Sequence, residues 1–420
     1  MDYTISSFSL KPDADVPLPA SKSLSARALI IGTMAGKANL ENLSDCDDTR
    51  AMQKALAHAR SGKPGTVDIG AAGTAMRFST AYFAATPGCV ATLTGSERMK
   101  HRPIGILVEA LRKLGADIEY LEDEGCPPLR IKGRHLEGGI VELPADVSSQ
   151  YISALLMVAP IMDSGLLLRL NGQVASRPYI QMTVDLMRHF GAEVDWLSSN
   201  EILVEPLSYD IGVHYAVEAD WSAASYWYEA VALSPNPSAS VVLRGLTTDS
   251  LQGDKATAIL FSLIGVKTEK IEGGVRVYKS PETQTGKGSL EIDFTDSPDL
   301  VQTFVVASAM LGYPFKFNGV ESLRIKETDR IEALVDEMQK LGFKLKGDDV
   351  SIKLEKPVPS PTVPTRPIET YEDHRMAMAF APAAQLLPGL KIENPGVVAK
   401  SYPNFWTDLR NAGAVIEENA

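Results

Sequence analysis

The 420-residue sequence predicts an α/β protein of the α+β type, built as two similar domains of three repeated units each. Two interleaved patterns predict it. The first is a helix face closed by glycine and followed by an alternating strand. Ile104, Leu107, Val108, Leu111 and Leu114 share one face, and Gly115 stops the helix before ADIEYL. Ile180, Val184, Met187 and Phe190 lead in the same way to Gly191 and AEVDWL. Ile331, Leu334, Val335, Met338 and Leu341 lead to Gly342. A helix that ends in a left-handed residue needs glycine there. Looser copies end at Gly36, Gly265 and Gly413, so the six glycines fall roughly 75 residues apart.

The second pattern is another helix recurring in step. It starts near Gly73, Ser148, Ser222, Asp299 and His374. One helix–glycine–strand run means little in an α/β protein, but two series holding one interval indicate six units. Each unit has two helices and several short strands. Six units divide into two domains of three, with the chain crossing over near Val217 to Asp220. The stretch KPVPSPTVP at 356–364 has the composition of a linker. The interval from Asp299 to His374 runs through it unbroken, so no boundary is placed there.

Composition narrows the function classes. The chain carries 41 Lys and Arg against 53 Asp and Glu, a net charge of −12. That balance opposes nucleic acid, which requires a basic footprint, and anionic membrane surfaces. Small anions can still enter a local basic cleft. Cys46, Cys89 and Cys126 form neither a disulfide framework nor a zinc motif, and fit a reducing, cytoplasmic compartment. The first residues show no secretory signal, and no apolar run approaches the roughly 18 residues of a membrane span. No metal site is expected. No phosphate-binding GxxxxGK[ST] loop occurs either.

Charged and hydroxyl residues collect at helix starts, where unpaired N–H groups suit phosphate or carboxylate. ASKSLSARAL places Lys22 and Ser23 at one start and Arg27 a turn later. GAAGTAMR lets backbone approach a ligand around Gly73. SERMKHRPIG sets Arg98, Lys100 and Arg102 ahead of another helix, against its dipole unless an anion comes there. DVSSQY and ASRPY supply hydroxyls and an amide that serve equally well as caps. RIKETDRIEAL puts Lys326 and Arg330 four apart on one helix face beside Glu327, a spacing that also suits a surface ion-pair network. YEDHRMAMAF opens an apolar, buried helix with Asp373, His374 and Arg375, so its charged entry borders a cleft. AKSYPNFW places Lys400 before the last helix.

In their order and spacing, LPASKSLSARAL, GAAGTAMR, RMKHRPIG, VSSQY, SRPYI, SPD, RIKETDR, YEDHRMAM and AKSYPNF resemble the EPSP synthase family of enolpyruvyl transferases. The likeness runs from about Leu18 to about Phe405. It implies three βαβαββ-like units per domain, forming inside-out α/β barrels over residues 20–217 and over 1–19 with 218–420. It places the active site in the cleft between the domains. The implied reaction moves the enolpyruvyl group of phosphoenolpyruvate to the 5-hydroxyl of shikimate 3-phosphate through a tetrahedral intermediate, releasing phosphate. No cofactor is implied, and a cytoplasmic monomer is expected.

By the same resemblance Ser23, Arg27, Ser148, Ser149, Ser176 and Tyr179 hold shikimate 3-phosphate, with Gln150, Asp299, Ser322 and Lys326 beside it. Gly73, Arg98, Gln150, Arg330, Arg375 and Lys400 hold phosphoenolpyruvate, and Lys22 touches both substrates. Asp299 takes the hydroxyl proton, and Glu327, helped by Lys22, handles the methylene proton. Asp299 also stands where an N-cap would. Ala71 and Phe78 depart from the family pattern near phosphoenolpyruvate, and Ser322 departs on the shikimate side. These bear on affinity and on tolerance of the inhibitor glyphosate rather than on the reaction. The sister transferase acting on UDP-N-acetylglucosamine pairs its lysine with asparagine, whereas this chain has Lys22-Ser23. A catalytically inactive anion-binding scaffold would keep the cations and lose the carboxylates, yet Asp299 and Glu327 are both present.

Overall fold

The computed structural model describes residues 2–280, 288–356 and 360–419. Residues 357–359 of the proline-rich stretch lie outside the described residues. The chain divides into two compact units, residues 21–217 and residues 1–20 with 218–420, each with its own apolar core.

Residues 21–217 carry helices α1 (Lys22–Met34), α2 (Asp47–Ser61), α3 (Gly73–Ala84), the single-turn α4 (Glu97–Lys100), α5 (Gly105–Lys113), α6 (Ser149–Val158) and α7 (Arg177–His189). The repeat is explicit around α3 and α5. Strand Gly65–Asp68 pairs in parallel with Val90–Thr94 across the α3 crossover. A hairpin of Asp117–Tyr120 and Leu129–Lys132 then completes a four-stranded sheet after α5. Residues 139–204 repeat this order around α6 and α7. Helices α1, α3 and α6 are apolar on nearly every side and are buried along most of their length. Helices α2, α5 and α7 bury one face only, and a left-handed glycine follows α5 and α7, with φ of 100° at Gly115 and 84° at Gly191. Wholly apolar helices must sit inside, so the helices fill the centre and the sheets lie around them.

The other unit carries α8 (Trp221–Leu233), α9 (Thr257–Ser262), α10 (Val301–Met310), α11 (Arg330–Lys340), α12 (His374–Phe380) and α13 (Phe405–Asn411). Here α8, α10 and α12 are the buried helices. Its sheets borrow strands from the start of the chain. Ala14–Pro17 pairs in parallel with Ser240–Arg244, and Asp2–Phe8 lies between Leu390–Glu393 and Ala414–Asn419.

One expectation is corrected. Gly36 follows α1, which is a buried helix, so it does not close a copy of the glycine-stopped helix. That helix is α2, closed by Gly62 with φ of 64°. The interval breaks because this unit has only two paired strands, Asn39–Glu41 and His214–Ala216, taken from opposite ends of the domain.

Glu229, within α8, is wholly buried, and neither of its carboxyl oxygens has a hydrogen-bond partner among the described residues. Burial pushes its pKa well above the ordinary value, so the carboxyl is held neutral. The advantage of the protonated form is fully present below about pH 4.3 and is lost as pH rises towards the folded-state value. Replacing Glu229 by Gln is expected to remove a slope of about 1.4 kcal/mol per pH unit in that interval. Denaturant unfolding from pH 5 to 8 checks this; parallel profiles for variant and parent would show that the group is already charged.

Candidate active site

Within residues 21–217, Ser21 caps α1 by accepting from Leu24 N, leaving Lys22 and Ser23 in its first turn. Lys22 Nζ lies 3.3 Å from Asp48 Oδ2. Arg27 is buried and, among the described residues, bonded to neutral groups. Its Nε donates to Thr183 Oγ1 at 2.7 Å, Nη1 to Ser23 O at 2.9 Å, and Nη2 to Ser153 Oγ and Tyr179 O at 3.2 Å each. Its Cζ lies 5.4 Å from the centre of the Phe78 ring. Burial lowers its pKa to about 10, so it stays charged at neutral pH, with no carboxylate bonded to it among the described residues. Such a cation favours a nearby anion strongly.

The remaining hydroxyls sit where the sequence placed them. Ser148 caps α6 by accepting from Gln150 N at 3.4 Å, and Ser149 opens that helix. Gln150 Nε2 donates to Thr74 Oγ1 at 3.2 Å, tying the starts of α6 and α3 together. Ser176 stands before α7 in the left-handed region, φ 53°, and its side chain makes no cap. At Gly73 a Cβ would come within 2.8 Å of Arg102 Nη1 and 3.0 Å of Arg77 Nη1. Only glycine lets two buried arginines approach that backbone. The cations of SERMKHRPIG do not act as one group. Arg98 is exposed in α4, Lys100 pairs with Glu97 at 3.0 Å, and Arg102 is buried beside Gly73.

Residues 218–420 assemble a denser charge cluster around Arg330, which is 1% exposed. Arg330 Nε donates to Asp373 Oδ2 at 2.7 Å, Nη1 to Asp299 Oδ1 at 3.1 Å and Nη2 to Glu327 Oε2 at 2.9 Å. Asp299 also receives Arg375 Nη2 at 2.7 Å and has Lys326 Nζ at 3.8 Å. Glu327 Oε1 receives Lys400 Nζ at 3.0 Å. Arg375 Nη1 donates to Tyr226 OH at 3.2 Å. Burial opposes the charge on Arg330, but Asp373, Glu327 and Asp299 outweigh it and raise the guanidinium pKa. Cations outnumber carboxylates in this cluster, with Lys326, Arg330, Arg375 and Lys400 against Asp299, Glu327 and Asp373.

Asp373 is delivered by a strained turn. Tyr371 and Glu372 are both left-handed, φ 53° and 57°, a conformation costing on the order of 1–3 kcal/mol per non-glycine residue. Asp373 then caps α12 by accepting from Arg375 N at 2.9 Å. Two local expectations change here. Lys326 and Glu327 precede α11 in an irregular turn rather than sharing its face, because Asp329 caps the helix and Arg330 is its first residue. Asp299 lies in a short 3-10 turn and caps nothing; its oxygens go to Arg330 and Arg375.

The sequence model described as EPSP synthase (3-phosphoshikimate 1-carboxyvinyltransferase) matches residues 58–409. The chain belongs to the EPSP synthase family. Among relatives, it is 54% identical over 403 residues to a 3-phosphoshikimate 1-carboxyvinyltransferase of Bacteroides fragilis, covering 95% of each chain. It is 35% identical to the enzyme of that name from Photobacterium damsela subsp. piscicida, covering 94% of this chain and 96% of the other. An EPSP synthase structure from Acinetobacter baumannii superposes with a TM-score of 0.74 at 22% identity, covering 99% of both chains, which establishes the two-domain fold.

Of the residues assigned by resemblance to the EPSP synthase family, Asp299, Glu327, Lys326, Arg330, Arg375 and Lys400 are joined in one cluster. Ser322 sits half-buried on the 3-10 turn Glu321–Ile325 just before it. Arg27 meets the backbone of Ser23 and Tyr179, and Gln150 reaches the start of α3. Arg98 is exposed in the single-turn α4. Sequence reasoning passed over Asp48, Ser153 and Thr183, and gave Asp373 no role beyond a charged helix entry. Asp373 followed by His-Arg at a buried helix start was the available signal for it. No helix among the described residues is long and apolar enough to cross a membrane, and no group of three potential metal ligands occurs among them.

Proposed function

We propose that the chain transfers the enolpyruvyl group of phosphoenolpyruvate to the 5-hydroxyl of shikimate 3-phosphate, giving 5-enolpyruvylshikimate 3-phosphate and phosphate, as a cytoplasmic monomer in aromatic amino acid biosynthesis. The observation that carries this reading is the seating of Asp299 and Glu327 on the two terminal nitrogens of one buried guanidinium. Two carboxylates held side by side among excess cations suit a reaction that moves two protons between polyanions.

In the addition step, the 5-hydroxyl oxygen attacks C2 of phosphoenolpyruvate while Asp299 takes the hydroxyl proton. A proton held by Glu327, with Lys22 assisting, goes to the methylene carbon. The tetrahedral product keeps the phosphate ester. In elimination, Glu327 removes a proton from the new methyl group, the C–O bond to phosphate breaks, the double bond re-forms, and Asp299 returns the hydroxyl proton to the departing phosphate. Arg330, Arg375, Lys400, Arg98, Gln150 and the backbone at Gly73 hold phosphoenolpyruvate. Ser23, Arg27, Ser148, Ser149, Gln150, Ser176, Tyr179, Ser322, Asp299 and Lys326 hold the shikimate. Lys22 contacts both substrates.

The test is phosphate release from purified protein given phosphoenolpyruvate with and without shikimate 3-phosphate. Release that needs both substrates is expected. Release driven instead by UDP-N-acetylglucosamine would assign the sister reaction, and no release with either acceptor would leave an anion-binding scaffold.

A further inference from the structure

We propose that Glu337 and Tyr371 form a positioning clamp that sets Arg330 and Arg375 for phosphoenolpyruvate, a role that rests on the reaction proposed above. Glu337 lies on α11 seven residues after Arg330, so the two side chains share a face of the helix. Both grip the same short segment. Arg330 holds Asp373 through Nε at 2.7 Å. Glu337, fully buried, accepts from Glu369 N through Oε2 at 3.0 Å and from Tyr371 OH through Oε1 at 2.8 Å. Lys340 Nζ neutralises it at 2.7 Å. Between these two grips the chain makes its left-handed step at Tyr371 and Glu372, closed by Asp373 N donating to Thr370 O at 2.8 Å.

A buried carboxylate is retained only where its bonds are satisfied, and both oxygens of Glu337 are spent on the turn and its lysine. Two successive left-handed residues other than glycine persist only where the surroundings over-determine them. Glu337 supplies that determination from one side and Arg330 from the other. The product of the clamp is the placement of Asp373, which fixes the Arg330 guanidinium and, through the α12 cap, the Arg375 backbone. Among the described residues the side chains of Glu337 and Tyr371 bond to Glu369 N, Lys340 and each other, so their effect reaches the reaction through the two arginines.

The experiment uses Tyr371→Phe, which removes one hydroxyl, and Glu337→Gln, which removes the charge and one acceptor. Hydrogen exchange of the segment 369–373 is measured beside KM for each substrate, well below the unfolding midpoint. Faster exchange is expected in both variants, with KM for phosphoenolpyruvate raised roughly 10- to 100-fold and KM for shikimate 3-phosphate within about twofold of the parent. A merely structural role would lower the midpoint and leave that split absent. Both KM values unchanged, or rising together, would overturn the clamp. Should the parent itself fail to release phosphate from the two substrates, the functional reading falls, while unchanged exchange in both variants would separately overturn the clamp.

Discussion

Replacing Glu327 by Gln is expected to lower turnover by roughly 10²- to 10⁴-fold while both substrates bind nearly as before. Glutamine preserves the shape of the side chain, and its oxygen can still accept from Lys400 or Arg330. Arg330 keeps Asp373 and Asp299, so the buried guanidinium does not lose its compensation. Losing one negative charge from a cluster already rich in cations does not weaken attraction for polyanions. What disappears is the group that exchanges a proton with carbon. Steady-state phosphate release beside equilibrium binding of each substrate checks this, and turnover equal to the parent would sink the assignment. Asp299→Asn makes an informative companion, since its oxygens answer to Arg375 and Arg330 rather than to Lys400.

Replacing Arg330 by Met is expected to abolish activity and to destabilise the domain of residues 1–20 and 218–420 by about 3–5 kcal/mol. Asp373 is fully buried, and Arg330 supplies two of its hydrogen bonds. Without that partner a charged carboxylate is stranded in the interior. Adding Asp373→Asn to the methionine variant is expected to recover part of the loss, because the stranded charge is gone. Denaturant unfolding of the single and double variants gives the coupling. Additive effects would mean that the two side chains stabilise the domain independently.

The repeated architecture was legible because it rests on local rules. Gly115, Gly191 and Gly342 close helices that bury one face, and the helices of the second type are apolar all round. Failure came where a unit is not contiguous. Gly36 kept the interval by accident, since the true counterpart, Gly62, belongs to a unit completed only at His214–Ala216. The charged residues of the candidate site were legible as types crowded at helix starts. Their partners were not, because contacts such as Arg27 to Thr183 or Arg375 to Asp299 join distant parts of the chain. Lys326 and Arg330 show the same limit. A spacing of four suggested a helix face, whereas a capping Asp329 starts the helix later and a turn brings Lys326 towards Asp299 instead.

The seating of Asp2–Phe8 between Leu390–Glu393 and Ala414–Asn419 bears on how the molecule is made. On the ribosome, residues 21–217 have all their sheet partners as soon as they emerge. The first strand must wait for about 400 further residues, which at about 5–20 residues per second is about 20–80 seconds. Through that time it is an unpaired edge tethered to a finished neighbour, open to wrong pairing. Leu390–Glu393 covers one edge of that strand, and Ala414–Asn419 then covers the other. Removing the six residues Ala414–Asn419 would uncover that edge of Asp2–Phe8 along its length.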